Sequence, residues 1–121
     1  MPYDDQNIFA KILRGEIPCD KIYEDDFVLS FYDINPQKKI HALVIPKGKY
    51  IDLDDFNTNA SDKEIIGLMK GITTVSKKLG ISSIDGKGYR ALANISDYGG
   101  QEVPHLHFHL FGGEKVGKMV S

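Results

Sequence analysis

The chain has 121 residues, of which 41% are apolar and 26% are charged, a composition typical of one globular domain. Its 15 basic and 17 acidic residues give a formal net charge of −2, which excludes the overall positive field expected of a nucleic-acid-binding protein. No apolar run approaches the roughly 20 residues of a membrane span, and the single cysteine, Cys19, has no disulfide partner. We therefore expect one soluble, cytoplasmic domain over residues 1–121 that binds neither nucleic acid nor membrane.

The first half of the chain predicts a short helix followed by strands. Asn7 can cap a helix over residues 9–13, and Gly15 is placed to end it. Three segments are rich in aromatic, β-branched or other apolar residues and favour strands: residues 21–24, 27–32 and 41–45. Residues 52–60 are polar and are expected to form an irregular connection.

A long helix is predicted from a cap at Ser61 to Leu79. Ser61 and Glu64 form a capping-box pattern, and Gly80 supplies the stop. Apolar residues recur every three or four positions and define one buried face: Ile65, Leu68, Ile72, Val75 and Leu79.

Two more strands are predicted after this helix, over residues 89–94 and 103–111, with a tight loop between them. Short connections favour antiparallel pairing. The predicted fold class is therefore α+β, with an antiparallel sheet of about five strands, one long helix and a short amino-terminal helix.

Three of the four histidines alternate with apolar residues near the end of the chain. His105, His107 and His109 lie in the segment PHLHFHLFG, residues 104–112. Because successive side chains of a strand point to opposite faces, the three imidazoles are predicted to share one face. The other face would hold the apolar residues of the segment against the long helix: Leu106, Phe108 and Leu110.

This histidine pattern has three interpretations. The first is a solvated polar face, and the second is a metal site, since imidazole is a common ligand. In a strand, the outer two histidines start about 13 Å apart, so a metal would need a further ligand from Glu102, His41 or Glu114. The third interpretation is a histidine nucleophile that attacks phosphorus through one ring nitrogen while the other donates to a backbone carbonyl. Flanking histidines would then hold the ring and donate to phosphate oxygens.

The pattern resembles the histidine-triad nucleotide-binding proteins, whose signature is His-φ-His-φ-His-φ-φ with φ apolar. Residues 105–111 match the signature at every position. The similarity extends to other segments: residues 7–9, 15–18, 23–25, 31–36, 41–47 and 99–103. It is closest to the branch that hydrolyses purine nucleoside phosphoramidates.

The resemblance implies a role for each histidine. The middle one, His107, would be the nucleophile and would carry a transient adenylyl or guanylyl group. His105 and His109 would orient it and contact the α-phosphate. His41 would pack beneath the triad and join its hydrogen-bond chain, although its place near a strand start fits a structural core histidine equally well.

The resemblance also implies a nucleotide-binding set. Asp33 would bind the ribose hydroxyls, although its position also fits an ordinary turn residue. The purine would lie in an apolar slot whose members would otherwise be interpreted as core: Ile8, Phe9, Ile12, Phe31 and Ile34. The phosphate would meet Asn94 and the loop of Gly100 and Gln101, where glycine lets backbone N–H groups approach an anion.

The chain departs from the family pattern at three places. Many relatives have Ser or Thr where this chain has Glu102, and a carboxylate there would repel phosphate unless it turns away or accepts from the leaving ammonium. The positions at which some bacterial relatives bind zinc hold Asn7, Ala10 and Lys49, so we expect no metal and no cofactor. The tail, residues 112–121, is short, so substrate specificity is expected to differ.

Together these features predict a metal-independent hydrolase of purine nucleoside 5′-phosphoramidates, of the AMP-amine or AMP-lysine type, with a nucleotidyl-histidine intermediate. One alternative is hydrolysis of dinucleoside polyphosphates, performed by the family's other large branch. Another is a nucleotide-binding regulator or scaffold with weak hydrolysis. The expected partners are a purine nucleotide or phosphoramidate substrate and, by resemblance, a second copy of the chain in a homodimer.

Overall fold

The chain folds around one antiparallel sheet in a computed structural model that describes residues 2–119. The elements in chain order are α1 (Ile8–Leu13), β1 (Lys21–Glu24), β2 (Val28–Tyr32), β3 (Ile40–Pro46), α2 (Leu53–Asn59), α3 (Asp62–Lys78), β4 (Arg90–Leu92) and β5 (Phe108–Gly112). The five strands lie in the order β1-β2-β3-β5-β4, and every neighbouring pair is antiparallel. The predicted α+β class is confirmed.

The predicted caps of α1 and α3 are present. The Asn7 side chain accepts from the backbone N–H of Ala10 at 2.9 Å, and Ser61 and Glu64 form the reciprocal capping box of α3. Gly80, directly after the C-cap of α3, has a φ of +73°, a left-handed conformation that glycine adopts without a steric penalty.

The sheet has a hydrophobic cluster on each face. α3 buries Leu68, Ile72 and Val75 on one face, where they join a cluster that includes Leu106 and Leu110, as the alternation predicts. Side chains at alternate positions of β2 and β3 form the other cluster with α1: Phe9, Leu29, Phe31, Leu43 and Ile45. The histidine-bearing face is therefore the one that α1 covers.

The polar stretch 52–60 is not an irregular connection, and this expectation is wrong. It contains α2, which Asp52 caps by accepting from the backbone N–H of Asp55 at 2.8 Å. Only Phe56 is fully buried in this helix, so the apolar periodicity is too weak to reveal it. The acidic residues of its first turn stabilise the helix by interacting with the positive end of its dipole.

The strand expected over residues 103–111 begins only at Phe108, so its first half is wrong. The backbone of the preceding segment is satisfied outside the sheet. The carbonyl of Val103 accepts from the N–H of His105, and the N–H of Leu106 donates to the carbonyl of Tyr50. β4 is also shorter than the predicted residues 89–94. Within residues 2–119, no helix combines the length and apolarity that a membrane crossing requires.

Candidate active site

A cavity of about 430 Å³ opens beside α1, on the face of the sheet that carries the histidines. This volume lies within the range of small-molecule sites. Its walls come from α1, from the end of β2 and from the segment before β5, and both His107 and His109 line it.

His107 is held in one tautomer. Its Nδ1 lies 2.7 Å from the carbonyl oxygen of His105, and because a carbonyl only accepts, Nδ1 carries the ring hydrogen. Burial lowers the pKa of His107 below its ordinary value of 6.5, so the ring is neutral at pH 7. Nε2 therefore keeps its lone pair, and within residues 2–119 it has no hydrogen-bond partner. A neutral imidazole with a free lone pair can act as a nucleophile or a base.

His109 is held in the opposite tautomer through His41. The backbone N–H of Gln37 donates to Nδ1 of His41 at 3.1 Å, so neutral His41 carries its hydrogen on Nε2. That Nε2 lies 2.9 Å from Nδ1 of His109 and donates to it, which leaves the hydrogen of His109 on its own Nε2. Burial, with His107 and His41 close by, lowers the pKa of His109 to about 4. The cavity therefore contains a lone pair on one ring and an N–H on another, with ring centroids 5.1 Å apart.

His105 has a different position. Its ring is fully buried and does not line the cavity. Nε2 donates to the carbonyl of Pro46 at 2.9 Å, so Nδ1 accepts from the hydroxyl of Tyr3 at 2.6 Å. Burial lowers the pKa of His105 to about 4. Neither ring nitrogen is free for the α-phosphate contact that the resemblance implies, whereas the backbone carbonyl orients His107 directly.

The predicted nucleotide-binding residues converge on the cavity. The resemblance implies nine such residues and places Glu102 beside them, and all ten except Gln101 line the cavity. Phe9 and Phe31 are buried, but Ile8 is 43% and Ile34 is 87% exposed. Exposed isoleucines on a cavity wall are not core residues, so the interpretation of these five positions as core is wrong for Ile8 and Ile34.

Gln101 braces the loop beside the cavity. Its Nε2 donates to the carbonyls of Ile51 and Val103 at 2.6 and 3.0 Å, and its Oε1 accepts from the N–H of Ser96 at 2.9 Å. Gly99 packs so tightly in this loop that an added Cβ would lie 2.4 Å from the carbonyl oxygen of Ile95. The loop conformation therefore depends on the hydrogen bonds of the Gln101 side chain and on the absence of a side chain at Gly99.

In the described part of the chain, the acidic side chains on the cavity wall are Asp33 and Glu102. Asp33 is also the predicted turn residue: one carboxylate oxygen accepts from the N–H of Asn35 at 2.8 Å. Its other oxygen lies 3.4 Å from Nε2 of His41. Glu102 is exposed at the cavity and raises the pKa of His107 against the larger effect of burial.

Several site residues were not predicted from the sequence. The cavity is also lined by Ile17, Pro18, Cys19, Tyr32, Leu43 and Val103. The sequence pattern could have indicated Leu43, because it lies two positions after His41 on the same strand face. Leu43 pairs with both Phe31 and His109. No sequence pattern could have indicated Tyr3, since it lies 102 positions from His105 and belongs to no motif.

One cluster has the composition of a metal site, namely Asp33, His41 and His109, whose ligand atoms lie within 4.8 Å of one another. Of the additional ligands considered from the sequence, only His41 belongs to it. The donor set fits a metal poorly, because the Gln37 N–H places the His41 hydrogen on Nε2, the atom that would have to supply the lone pair.

The chain belongs to the HIT domain family, whose profile matches residues 14–116. It is 49% identical over 119 residues to a HIT-like protein of Azospirillum brasilense, covering 98% of this chain and 95% of that one. It is 40% identical over 117 residues to the purine nucleoside phosphoramidase of Escherichia coli strain K12, covering 97% and 95%. The solved structure of a HIT family hydrolase from Clostridium thermocellum aligns with a TM-score of 0.85 at 35% identity, covering 98% and 99%. The family recognised from the histidine signature is confirmed.

Proposed function

We propose that the protein hydrolyses purine nucleoside 5′-phosphoramidates through a nucleotidyl-histidine intermediate on His107. The observation that carries this proposal is the bond from Nδ1 of His107 to the carbonyl of His105, which leaves a lone pair on Nε2 of a neutral ring. The similarity to a protein named purine nucleoside phosphoramidase supports the choice of substrate.

In the first step, Nε2 of His107 attacks the α-phosphorus. The P–Nε2 bond forms as the bond from phosphorus to the amine breaks, and the leaving amine takes a proton from solvent. The ring becomes positively charged, and the carbonyl of His105 stabilises that charge through the Nδ1–H bond. In the second step, water attacks the phosphorus and gives up a proton to solvent, the P–Nε2 bond breaks, neutral His107 is restored and the nucleoside monophosphate is released.

The other cavity residues fit this reaction. The N–H on Nε2 of His109 can donate to an α-phosphate oxygen as its charge grows. Asn94 and the backbone at Gly100 line the same cavity and supply further donors. The apolar side chains of α1 and β2 provide a slot for a purine, and the Asp33 carboxylate provides an acceptor for ribose hydroxyls.

The test is hydrolysis of a fluorogenic adenosine phosphoramidate in the presence of a chelator. We expect turnover by the unmodified protein and a loss of at least about a thousandfold in His107→Ala. Mass spectrometry of rapidly quenched protein should find an adenylyl group on the peptide that contains His107. AMP binding by His107→Ala, measured by calorimetry, controls for loss of the fold. Equal turnover by both proteins, or turnover abolished by the chelator, contradicts the proposal.

We also propose that the protein is a cytoplasmic homodimer, as the family resemblance implies. A twofold contact between identical subunits is the commonest symmetric assembly. Light scattering at micromolar concentration should give twice the mass of the chain, and the mass of one chain would contradict the proposal.

A further inference from the structure

The amino-terminal segment reaches the buried side of the histidine cluster through one side chain. The hydroxyl of Tyr3 lies 2.6 Å from Nδ1 of His105, and the two rings meet edge to face with centroids 5.6 Å apart. The direction of this bond is fixed, because the opposite ring nitrogen of His105 must carry the hydrogen that it donates to the carbonyl of Pro46. Tyr3 is therefore the donor.

The same residue that Tyr3 contacts also holds His107. His105 presents its side chain to Tyr3 and its backbone carbonyl to Nδ1 of His107, 2.7 Å away. Phe9 packs edge-on against both imidazoles, at centroid distances of 6.3 Å from His105 and 4.9 Å from His107. A shift of the His105 ring would therefore move both the carbonyl and the shared aromatic contact that orient His107.

Three contacts anchor the segment that carries Tyr3. The Asp5 carboxylate forms an ion pair with Lys49 at 2.8 Å, and the guanidinium of Arg14 donates to the Asp5 carbonyl at 2.7 Å. The Asn7 side chain donates to the carbonyl of Asp4 at 2.7 Å. These bonds hold the segment at the start of α1, so the phenol of Tyr3 is brought to His105 in a defined position.

We propose that Tyr3 is a positioning residue for His107. Its hydroxyl fixes the ring of His105 and, through the His105 carbonyl, keeps the ring hydrogen of His107 on Nδ1. This proposal rests on the proposed function for its kinetic consequence, but the tautomer that it assigns to His107 can be measured without a substrate.

The variant Tyr3→Phe keeps the ring and removes only the donor. We expect kcat for the adenosine phosphoramidate to fall by about tenfold with KM changed less than about twofold, because the nucleophile is misplaced while the nucleotide slot is intact. The matched control is Tyr23→Phe, which removes the 2.8 Å hydrogen bond from this β1 phenol to the carboxylate of Asp25; neither residue lines the cavity. This control should retain the unmodified kcat.

Nitrogen-15 NMR of the histidine side chains supplies the second readout. The unmodified protein should show His105 with hydrogen on Nε2 and His107 with hydrogen on Nδ1, and Tyr3→Phe should show a second tautomer of His107. Unchanged tautomers with unchanged kcat would overturn the proposal, and so would an equal loss of kcat in both variants. If the unmodified protein does not hydrolyse the substrate, the proposed function fails, and the tautomers of His107 in Tyr3→Phe alone decide the role of Tyr3.

Discussion

His41 and His109 are joined by a 2.9 Å hydrogen bond that runs diagonally between β3 and β5. In the register of these strands His41 lies opposite Phe111 and His109 lies opposite Leu43, so the two imidazoles are diagonal neighbours on one face of the sheet. The bond sets the tautomer of His109 and links the cavity to the backbone N–H of Gln37. His41 does not line the cavity itself and contacts it through His109 and Asp33, which do.

Replacing His41 should therefore slow the reaction, and the loss should be smaller when the new side chain can still donate a hydrogen bond to His109. His41→Ala removes the hydrogen that His41 gives to His109, and we expect kcat for the phosphoramidate to fall by about tenfold to a hundredfold. His41→Gln can place an amide N–H near the position of the lost Nε2 and should retain more activity. Steady-state kinetics and urea unfolding of both variants provide the test. Equal losses of activity at equal stability contradict this role.

The histidine cluster also predicts how stability depends on pH. Burial lowers the pKa of both His105 and His109 to about 4, below the ordinary value of 6.5. The unfolded chain therefore binds more protons than the folded chain between pH 6.5 and 4, so this stability is fully present above pH 6.5 and is lost as the pH falls. Between pH 7.5 and 5 we expect His105 alone to lower the free energy of unfolding by about 2 kcal/mol.

Urea unfolding at pH 7.5, 6 and 5 checks this dependence. The Glu24 carboxyl does not interfere with this measurement. Hydrogen bonds from Lys21 and Lys47 hold its pKa at about 2, so its contribution to stability is lost only below its ordinary value of 4.5. His109→Gln removes one titrating ring and should show a shallower slope. A stability that is constant or increases from pH 7.5 to 5 contradicts the expectation.

The sequence predicted the fold where local patterns and tertiary packing agree. The capping box of Ser61 and the apolar face of α3 are local features, and both appear as predicted. α2 was missed because its acids and asparagines conceal a helix that buries only Phe56. The first half of the last predicted strand failed because its hydrogen bonds go to partners such as Tyr50, more than fifty residues earlier.

The same distinction applies to the site. The alternation of histidines predicts three imidazoles on one strand face, but of the three only His109 lies on β5; His107 and His109 line the cavity, whereas His105 does not. The tautomer of His105 depends on contacts with Pro46 and Tyr3, and that of His109 depends on His41, and all three partners are more than fifty residues away in the sequence. The histidine signature therefore identifies the family, whereas the states of these two rings follow from long-range hydrogen bonds.

The proposed contact between the Asp33 carboxylate and the ribose can be tested by removing the ribose hydroxyls from the substrate. Asp33→Asn keeps an oxygen for the N–H of Asn35 but removes the charge at the cavity. We expect KM for a ribonucleoside phosphoramidate to rise by about tenfold, since a charged acceptor binds hydroxyls more strongly than a neutral one. The 2′,3′-dideoxy analogue should respond much less. Asp26→Asn, at an exposed position away from the cavity, is the control, and equal responses to both substrates contradict a ribose contact.

The charge of the cavity predicts its preference for leaving groups. Asp33 and Glu102 line it, and among the described residues neither lysine nor arginine does. A phosphoramidate carries one negative charge at the reacting phosphorus, whereas a dinucleoside polyphosphate brings several, each repelled by a carboxylate a few ångströms away by about 1 kcal/mol. Glu102→Gln should therefore raise kcat/KM for diadenosine tetraphosphate by about tenfold and change that for the phosphoramidate by less than about threefold. This gain should be smaller in 0.5 M salt, where the Debye length falls to about 4 Å. Asp26→Asn should show no gain. If both substrates respond equally to Glu102→Gln, its carboxylate does not select the leaving group.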